Sequence, residues 1–348
     1  MSEFRIDQIS NQAGTAGPDI AGITTFSSTS GMLMPSGSTE YRGGRGRGIW
    51  GAGAGSGVGV NNLEYVTIST LSNSYDFGDL TLARRDLASF ASSTRGCWVG
   101  GLSTPGGPVT TNVIDFVVIS SGGGGYDFGD LIQPARGQTA CSNSIRGLWA
   151  GGNNDAPTAV FFSNIEYVTI ATTGNATSFG NLSKSMHQLG ACASPIRGIW
   201  AGGSTPTILN SIEYITISTT GNSIDFGDLS LTRSDLGGLS NSIRGIFSGG
   251  YTGPATSTNT IDFITMSSLG DAIDFGDLIQ HRFSYGACSS STRGLFGGGY
   301  FFAPATSTTG TIELITIATT GNATSFGNLS FNMRQTAACS DAHGGLGD

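Results

Sequence analysis

Long apolar stretches are missing from this sequence, and their absence excludes two classes of protein. No apolar run approaches the about 20 residues that a membrane-spanning helix needs. The first residues, Met1–Asp7, have no apolar core of the kind that a secretory signal peptide requires. We therefore expect no membrane insertion, and we expect the chain to be made and assembled in a cytoplasm.

Charged residues are also scarce, at 11% of the chain, and their formal sum is −8. The few basic residues are spread along the sequence and form no cluster. Proteins that bind nucleic acids or anionic membranes gather Lys and Arg on one surface. The sequence thus predicts no nucleic-acid partner.

Histidine is represented by only three residues, His187, His281 and His343, at unrelated positions. Zinc sites and Ser-His-Asp triads need histidines beside their partner residues. We therefore expect no catalytic residue, no metal and no cofactor.

The five cysteines are odd in number. Four of them occupy one equivalent position of a repeat, which other copies fill with Phe90 or Leu239. These four are Cys141, Cys192, Cys288 and Cys339. A position that accepts Cys, Phe or Leu is a buried apolar one, so we expect these thiols to act as small core side chains.

What the sequence has in abundance is glycine, with 56 residues, and much of it follows a repeat. Six copies can be aligned on an Arg-Gly pair, with a period of 47 to 51 residues. The arginines of these pairs are Arg47, Arg95, Arg146, Arg197, Arg244 and Arg293. A fixed period in this range indicates a repeat architecture.

Each copy continues with a short β-branched segment, which predicts a strand. These segments are Leu63–Ile68, Ile114–Ile119, Ile165–Ile170, Ile212–Ile217, Ile261–Met266 and Ile312–Ile317. A Phe-Gly pair follows in every copy, four times within the triplet Asp-Phe-Gly. Because this triplet recurs without a Gly-rich nucleotide loop, we interpret it as structural and not as a kinase motif.

The order of segments is similar to the kelch repeat of β-propellers. Five copies end their second strand in Gly-Gly, as at Gly100-Gly101, while the first copy has Gly51-Ala52-Gly53. The resemblance covers residues 46–348 and implies one four-stranded blade per copy. The chain departs from the kelch pattern in lacking the usual Trp of the fourth strand.

The repeats begin with a second strand, Gly48–Gly53, and end with a first strand, Gln335–Ser340. We therefore predict an all-β, six-bladed kelch-like propeller in which the N- and C-terminal strands pair within one blade. Such closure leaves no exposed sheet edge. The predicted domains are an N-terminal attachment arm, residues 1–45, and a propeller, residues 46–348.

Residues 1–45 stand outside the repeat and are rich in Gly, Ser and Thr. Their sequence, in particular Phe4–Ile9 and Gly22–Phe26, resembles the N-terminal attachment segments of structural proteins from tailed marine bacteriophages. The resemblance implies a virion protein that contacts other virion proteins through this arm. Because phage fibres are often trimeric, it also implies a homo-oligomer.

Each third strand carries one acid, and each copy carries one Arg-Gly arginine. The acids are Glu64, Asp115, Glu166, Glu213, Asp262 and Glu313. Buried charges are normally paired. We therefore predict that the six acids and six arginines form a structural pair in every blade.

Aromatic residues in the loops between second and third strands lie outside the repeat consensus. They are Phe161, Phe162, Tyr251, Tyr300, Phe301 and Phe302. Exposed aromatics on one face mark contact surfaces. We predict that these six form a binding face for protein or sugar; the alternative is that they pack down over the propeller.

These features predict a non-enzymatic virion protein of the tail-fibre or adhesin type, whose variable loops contact a host-surface glycan or protein. One alternative is a head or tail decoration protein that binds only virion subunits. The alternative from another class is a glycan-active propeller enzyme. Against it, few residues break the repeat, whereas a catalytic site needs polar residues unique to one or a few blades.

Overall fold

The computed structural model describes residues 46–55, 57–104, 108–155, 159–302 and 306–346. Residues 1–45, the predicted attachment arm, lie outside the described residues, so the arm stays a prediction. Within the described ranges the chain forms antiparallel strands and a short 3-10 helix, Gly344–Leu346.

The strands form six blades of four strands each, which we name blades 1 to 6, with strands a to d running from the centre outward. Five blades are separate four-stranded sheets, and the sheet of blade 1 continues from its strand d into the hairpin of Leu102–Ser103 and Val109–Thr110. Strands a are Ala337–Ser340, Ala88–Ala91, Thr139–Ser142, Gly190–Ala193, Gly237–Ser240 and Gly286–Ser289. Strands b are Arg47–Ala54, Arg95–Val99, Arg146–Ala150, Arg197–Ala201, Arg244–Ser248 and Arg293–Gly297. Strands c are Gly59–Thr67, Val113–Val118, Asn164–Thr169, Ser211–Thr216, Thr260–Thr265 and Thr311–Thr316. Strands d are Tyr75–Arg85, Tyr126–Asp130, Thr177–Asn181, Ile224–Asp228, Ile273–Asp277 and Thr324–Asn328.

The loops between strands b and c carry short hairpins in blades 2 to 6. Their strand pairs are Leu102–Ser103 with Val109–Thr110, Asn153–Asn154 with Val160–Phe161, Ser204–Thr205 with Thr207–Ile208, Tyr251–Gly253 with Thr256–Ser257, and Tyr300–Phe301 with Ser307–Thr308.

The predicted closure of the ring is confirmed. Strand a of blade 1 is the C-terminal Ala337–Ser340, which pairs antiparallel with Gly48–Gly51 of strand b. The innermost strands lie side by side around a central channel, with the strands a of blades 6 and 1 in contact. Two indole groups form hydrogen bonds between neighbouring blades. Trp50 Nε1 of blade 1 donates to the Gly286 carbonyl of blade 6 at 3.2 Å, and Trp98 Nε1 of blade 2 donates to the Ala337 carbonyl of blade 1 at 3.4 Å.

The glycine of each Arg-Gly pair makes room for a side chain of the preceding blade. A Cβ on Gly48 would lie 2.6 Å from Cys288 Sγ, and one on Gly147 would lie 2.2 Å from the Phe90 ring. All five cysteines are buried and unpaired. The prediction that they are core side chains is confirmed, and the glycine explains why that position tolerates Cys, Leu or Phe.

The Phe-Gly glycine has a packing role as well. A Cβ on Gly129 would lie 2.4 Å from the carbonyl oxygen of Gly174, in the c–d turn of the next blade. That turn is fixed to strand d of the preceding blade by Asn175, whose Oδ1 accepts the Asp130 N–H at 3.1 Å. The triplet therefore serves contacts between blades, which agrees with its interpretation as a structural and not a kinase motif.

The propeller has two faces. The loop face carries the b–c loops and the connections between blades; the turn face carries the a–b and c–d turns. The C-terminal residues lie at the turn face, where His343 Nε2 is 2.9 Å from the Ala91 carbonyl and the Asp341 side chain accepts the Arg47 N–H at 2.8 Å.

Candidate functional site

The Arg-Gly arginines and the strand-c acids were predicted to pair, and this prediction is wrong. Arg47 stands opposite Thr67, whereas Glu64 stands opposite Trp50, three residues further along strand b. Because side chains alternate along a strand, positions three apart point to opposite sides of the blade. The acid and the arginine of one blade are therefore separated by their own sheet.

The guanidinium of Arg47 instead lies over the Tyr65 ring, 4.7 Å from its centroid, and donates to the Ile119 carbonyl of the next blade at 2.6 Å. Equivalent stacked pairs are Arg95 with Phe116, Arg146 with Tyr167, Arg197 with Tyr214, and Arg244 with Phe263. Arg293, whose blade has Leu314 at the ring position, donates to the carbonyls of Ile68 and Ser69. These arginines join blades together.

The acids are buried, and each has another partner. Three of them pair with an arginine from the connection that leads into their blade: Asp115 with Arg84, Asp262 with Arg233, and Glu313 with Arg282. The other three accept hydrogen bonds from serine, asparagine or backbone groups: Glu64 from Ser330, Glu213 from Ser183, and Glu166 from Asn164 and the Ile132 N–H. Both sets are structural.

The predicted loop aromatics separate into two groups. Tyr251, Tyr300 and Phe302 converge on Phe283, with Phe283 and Phe302 stacked at 5.0 Å and Tyr300 edge-on to Phe283 at 5.2 Å. All four rings are half-buried, and Arg334 lies over Tyr300 at 4.6 Å. We call these four rings the aromatic cluster.

The remaining three aromatics lie elsewhere. Phe161 is 40% exposed and lies 4.8 Å from the His187 ring, centroid to centroid. Phe162 packs against the core between blades 2 and 3, and Phe301 lies edge-on to His281. The structure therefore brings together half of the predicted set and adds Phe283, which comes from a connection between blades.

A second feature of the loop face is a ring of six residues at the mouth of the channel. One residue from each connection has positive φ: Asp86, Gly137, Gln188, Asp235, Ser284 and Gln335. The N–H of each donates to the carbonyl of the one before it, and the Asp86 N–H closes the cycle on Gln335 at 3.0 Å. We call this the mouth ring. Non-glycine residues in this conformation are uncommon and are often found at functional sites.

The mouth ring opens onto a cavity of about 120 Å³ in the central channel. Two carboxyl groups belong to it, Asp86 before blade 2 and Asp235 before blade 5, on opposite sides of a six-bladed ring. Asp86 pairs with Arg136 at 2.6 Å, and Arg136 also binds Asp155 at 2.5 Å.

The two carboxyls are in different states. Burial raises the pKa of Asp235 to about 8; the nearby Asp86 raises it further, and the Ser284 hydrogen bond and Arg136 oppose the rise. Burial also lowers the pKa of His187 beside them, which Asp86 partly offsets. At neutral pH the mouth thus holds a neutral Asp235 and an uncharged His187 next to an ion-paired Asp86. Strongly shifted groups in a cleft mark candidate functional sites.

Sequence reasoning missed the mouth ring. The sequence did contain a signal for it, because one position of an otherwise regular repeat is occupied in successive copies by Asp, Gly, Gln, Asp, Ser and Gln. Among the described residues, no group of three or more His, Cys, Asp and Glu could hold a metal ion. In the same ranges, no helix is both long and apolar enough to cross a membrane.

The described fold is that of a six-bladed β-propeller, and comparison with known proteins agrees at the level of fold. The chain is similar to the solved structure of YjhT, with a TM-score of 0.63 and 9% sequence identity over 75% of this chain and 88% of that one. No protein-family model and no curated protein matches the sequence. Because 372 solved chains match, the fold by itself does not indicate a function. The kelch and phage resemblances stay predictions.

Proposed function

We propose that this chain is a non-enzymatic structural protein of a phage virion, and that its propeller binds a host-surface glycan or protein through the loop face. Residues 1–45 would attach it to other virion proteins, in a homo-oligomer of the tail-fibre or adhesin type. The arm rests on the sequence resemblance alone. The binding face rests on the geometry of the loops.

The observation that carries the proposal is the aromatic cluster. Four half-buried rings from two hairpins and a connection meet on one face, and Arg334 covers one of them. Blade packing does not require these rings, because the described residues of the equivalent loops in blades 2 to 4 bring no such group of four rings together. Partly exposed aromatic groups with an adjacent arginine are typical of contact surfaces.

The orientation of the chain supports display of this face. The last described residues lie at the turn face, and so does Gly46, whose carbonyl accepts the Ile68 N–H at the end of strand c. An arm that continues from residue 46 therefore starts on the face opposite the aromatic cluster. A propeller held from the side of Gly46 would present the loop face outward, and loops on a rigid scaffold are where binding usually resides.

A glycan-active enzyme is the second candidate, and the mouth ring favours it. A protonated Asp235 and an Asp86 that is paired with Arg136, on opposite sides of a cavity, resemble the pair of carboxyl groups that glycoside hydrolysis uses. Incubation with host polysaccharide discriminates the two functions. Released reducing ends that disappear in a Asp235→Asn variant would support the enzyme over the binding module.

The binding function is tested by replacing Tyr251 and Tyr300 with Ser in assembled particles. We expect adsorption to host cells to fall at least tenfold while particle assembly is unchanged. The control is Tyr126→Ser, which removes a 61% exposed tyrosine from strand d, outside the loop face. Lost assembly with normal adsorption of the remaining particles would instead favour a decoration protein that binds only virion subunits.

A further inference from the structure

We propose that the mouth ring binds a sugar residue at Gly137, through two neighbouring hydroxyl groups of the sugar. The inference deepens the proposed binding function and rests on it, because it names a ligand class and a position for the loop face. It is carried by three features of the mouth: a gap in the ring, a buried acceptor that faces the gap, and a balance of charge around it.

The gap is at Gly137. The other five members of the mouth ring carry polar side chains in the same backbone conformation, with φ between 54° and 61°. A Cβ built on Gly137 would meet only ordinary contacts, at 3.6 Å from Asn153 Oδ1 and 3.8 Å from Gln188 Cγ and His187 Cβ. A side chain would fit here, and the chain provides none, so a notch remains between Asp86 and Gln188.

The buried acceptor is the amide oxygen of Asn153. Asn153 is 3% exposed, and its Nδ2 donates to Asp155 Oδ1 at 2.8 Å. Its Oδ1, the atom nearest to the notch, meets no donor within the described part of the chain. A buried carbonyl without a donor destabilises the folded state. The Oε1 atom of Gln335, the ring neighbour of Asp86 on the other side, likewise lacks a donor among the described residues. The mouth therefore has two buried amide oxygens that no described group supplies with a hydrogen-bond donor.

The charged side chains around the notch determine which kind of hydrogen-bond donor a ligand can place there. Arg136 lies between Asp86 and Asp155, within 2.6 Å of both, so a cation at the notch would meet a guanidinium group. An anion would meet the Asp86 carboxylate. A neutral hydroxyl avoids both penalties, because it donates to Asn153 Oδ1 or Asp86 and still accepts from the Gln188 amide. Two adjacent hydroxyls could satisfy Asn153 and Asp86 together.

One wall of the notch suits the apolar side of a sugar ring. Phe161, 40% exposed, stands 4.8 Å from His187, whose Cβ borders the notch. Burial lowers the pKa of His187, so this wall is uncharged at neutral pH. Apolar surface with a few convergent polar groups is the usual composition of a small-molecule site.

The test fills the notch with a residue that the ring already tolerates. In Gly137→Gln, the new residue takes the backbone conformation that Gln188 and Gln335 already have in the ring, so we expect the fold to be kept. The matched control is Gly122→Gln, at a glycine of similar φ (71°) in a c–d turn on the opposite face, where a Cβ would meet only the Phe77 carbonyl oxygen at 3.8 Å. The probes are the methyl glycosides of glucose, galactose and mannose, observed by saturation-transfer NMR, with methylammonium chloride as a cation probe.

We expect at least one glycoside to bind the unmodified protein, and to bind Gly137→Gln and Asn153→Leu at least tenfold more weakly. Gly122→Gln should bind as the unmodified protein does, and all variants should keep its melting temperature within a few degrees. The inference is overturned if no glycoside binds, if Gly137→Gln binds equally well, if Gly122→Gln loses as much, or if methylammonium binds instead. Failure of the proposed function is separate: the Tyr251/Tyr300 variant would then adsorb normally whatever the glycosides do.

Discussion

Arg84 and Asp115 form an ion pair of 2.8 Å between Nη2 and Oδ2, with both side chains fully buried. Arg84 lies near the end of strand d of blade 1, which leads into blade 2, and Asp115 lies in strand c of blade 2. Burial lowers the pKa of Arg84 and raises that of Asp115, and in each case the partner opposes the shift. The pair therefore joins two elements of the repeat at a considerable cost in desolvation.

The first prediction concerns removal of one charge from this pair. Arg84→Met leaves Asp115 buried with Thr81 as its remaining side-chain partner, at 2.5 Å. We expect the free energy of unfolding in urea to fall by about 3–5 kcal/mol, because an uncompensated charge stays buried. A loss below about 1 kcal/mol, as for a surface pair, would contradict this account.

Blade 4 supplies the control for that change. It has Met186 where blade 2 has Arg84, and its acid, Glu213, accepts hydrogen bonds from the Ser183 hydroxyl and N–H. The double variant Arg84→Met/Asp115→Glu recreates this arrangement with Thr81 as the hydroxyl donor. We expect it to recover about 1.5–3 kcal/mol of the loss, which corresponds to one hydrogen bond to a charged group.

The second prediction tests the corrected partners of the Arg-Gly arginines. Arg197 lies over Tyr214 at 4.8 Å, whereas Glu213 is on the other side of the blade. A double-mutant cycle of Arg197→Met with Tyr214→Leu should give a coupling of about 0.5–1 kcal/mol. The cycle with Glu213→Gln should give a coupling near zero. A larger coupling to Glu213 than to Tyr214 would restore the pairing that the sequence suggested.

The third prediction separates the closing strand from the residues after it. Removal of residues 337–348 deletes strand a of blade 1 and exposes strand b, so we expect no soluble folded protein. Removal of 341–348 keeps that strand and loses the contacts of Asp341, His343 and the buried 3-10 helix Gly344–Leu346 at the turn face. This shorter truncation should fold and melt at a lower temperature. Equal melting behaviour of both truncations and the full chain would contradict closure by the C-terminal strand.

The sequence allowed the fold to be predicted because the repeat is local. The Arg-Gly pair, the β-branched segment and Phe-Gly each mark one strand of a blade, and the offset between Gly48–Gly53 and Gln335–Ser340 predicts closure within blade 1. The bounds of the closing strand differ by only two residues, since the structure begins it at Ala337.

The side-chain partners could not be predicted in the same way. Counting six acids and six arginines gave matching numbers, but pairing depends on register, and the three-residue offset between Arg47 and Trp50 puts Glu64 on the other side of its sheet. The mouth ring was missed because its members come from connections about 50 residues apart and share a backbone conformation, not a residue type. Only the closed ring brings Asp86 and Asp235 to one opening.

The last prediction follows from the raised pKa of Asp235, about 8 in the folded protein. An Asp in the unfolded chain has a pKa of about 3.9. Between these pH values the folded state keeps a proton that the unfolded chain has lost, so this residue lowers stability progressively as pH rises, and its full cost is reached above about pH 8.

Asp235→Asn removes the titrating group and keeps the shape of the protonated acid. We expect its melting temperature to match that of the unmodified protein near pH 4 and to exceed it by a few degrees at pH 8–9. Asp225→Asn, at an exposed position of strand d in blade 4, is the control for the substitution itself. A constant difference for Asp235→Asn over the same range would show that its carboxyl is not protonated in the folded mouth.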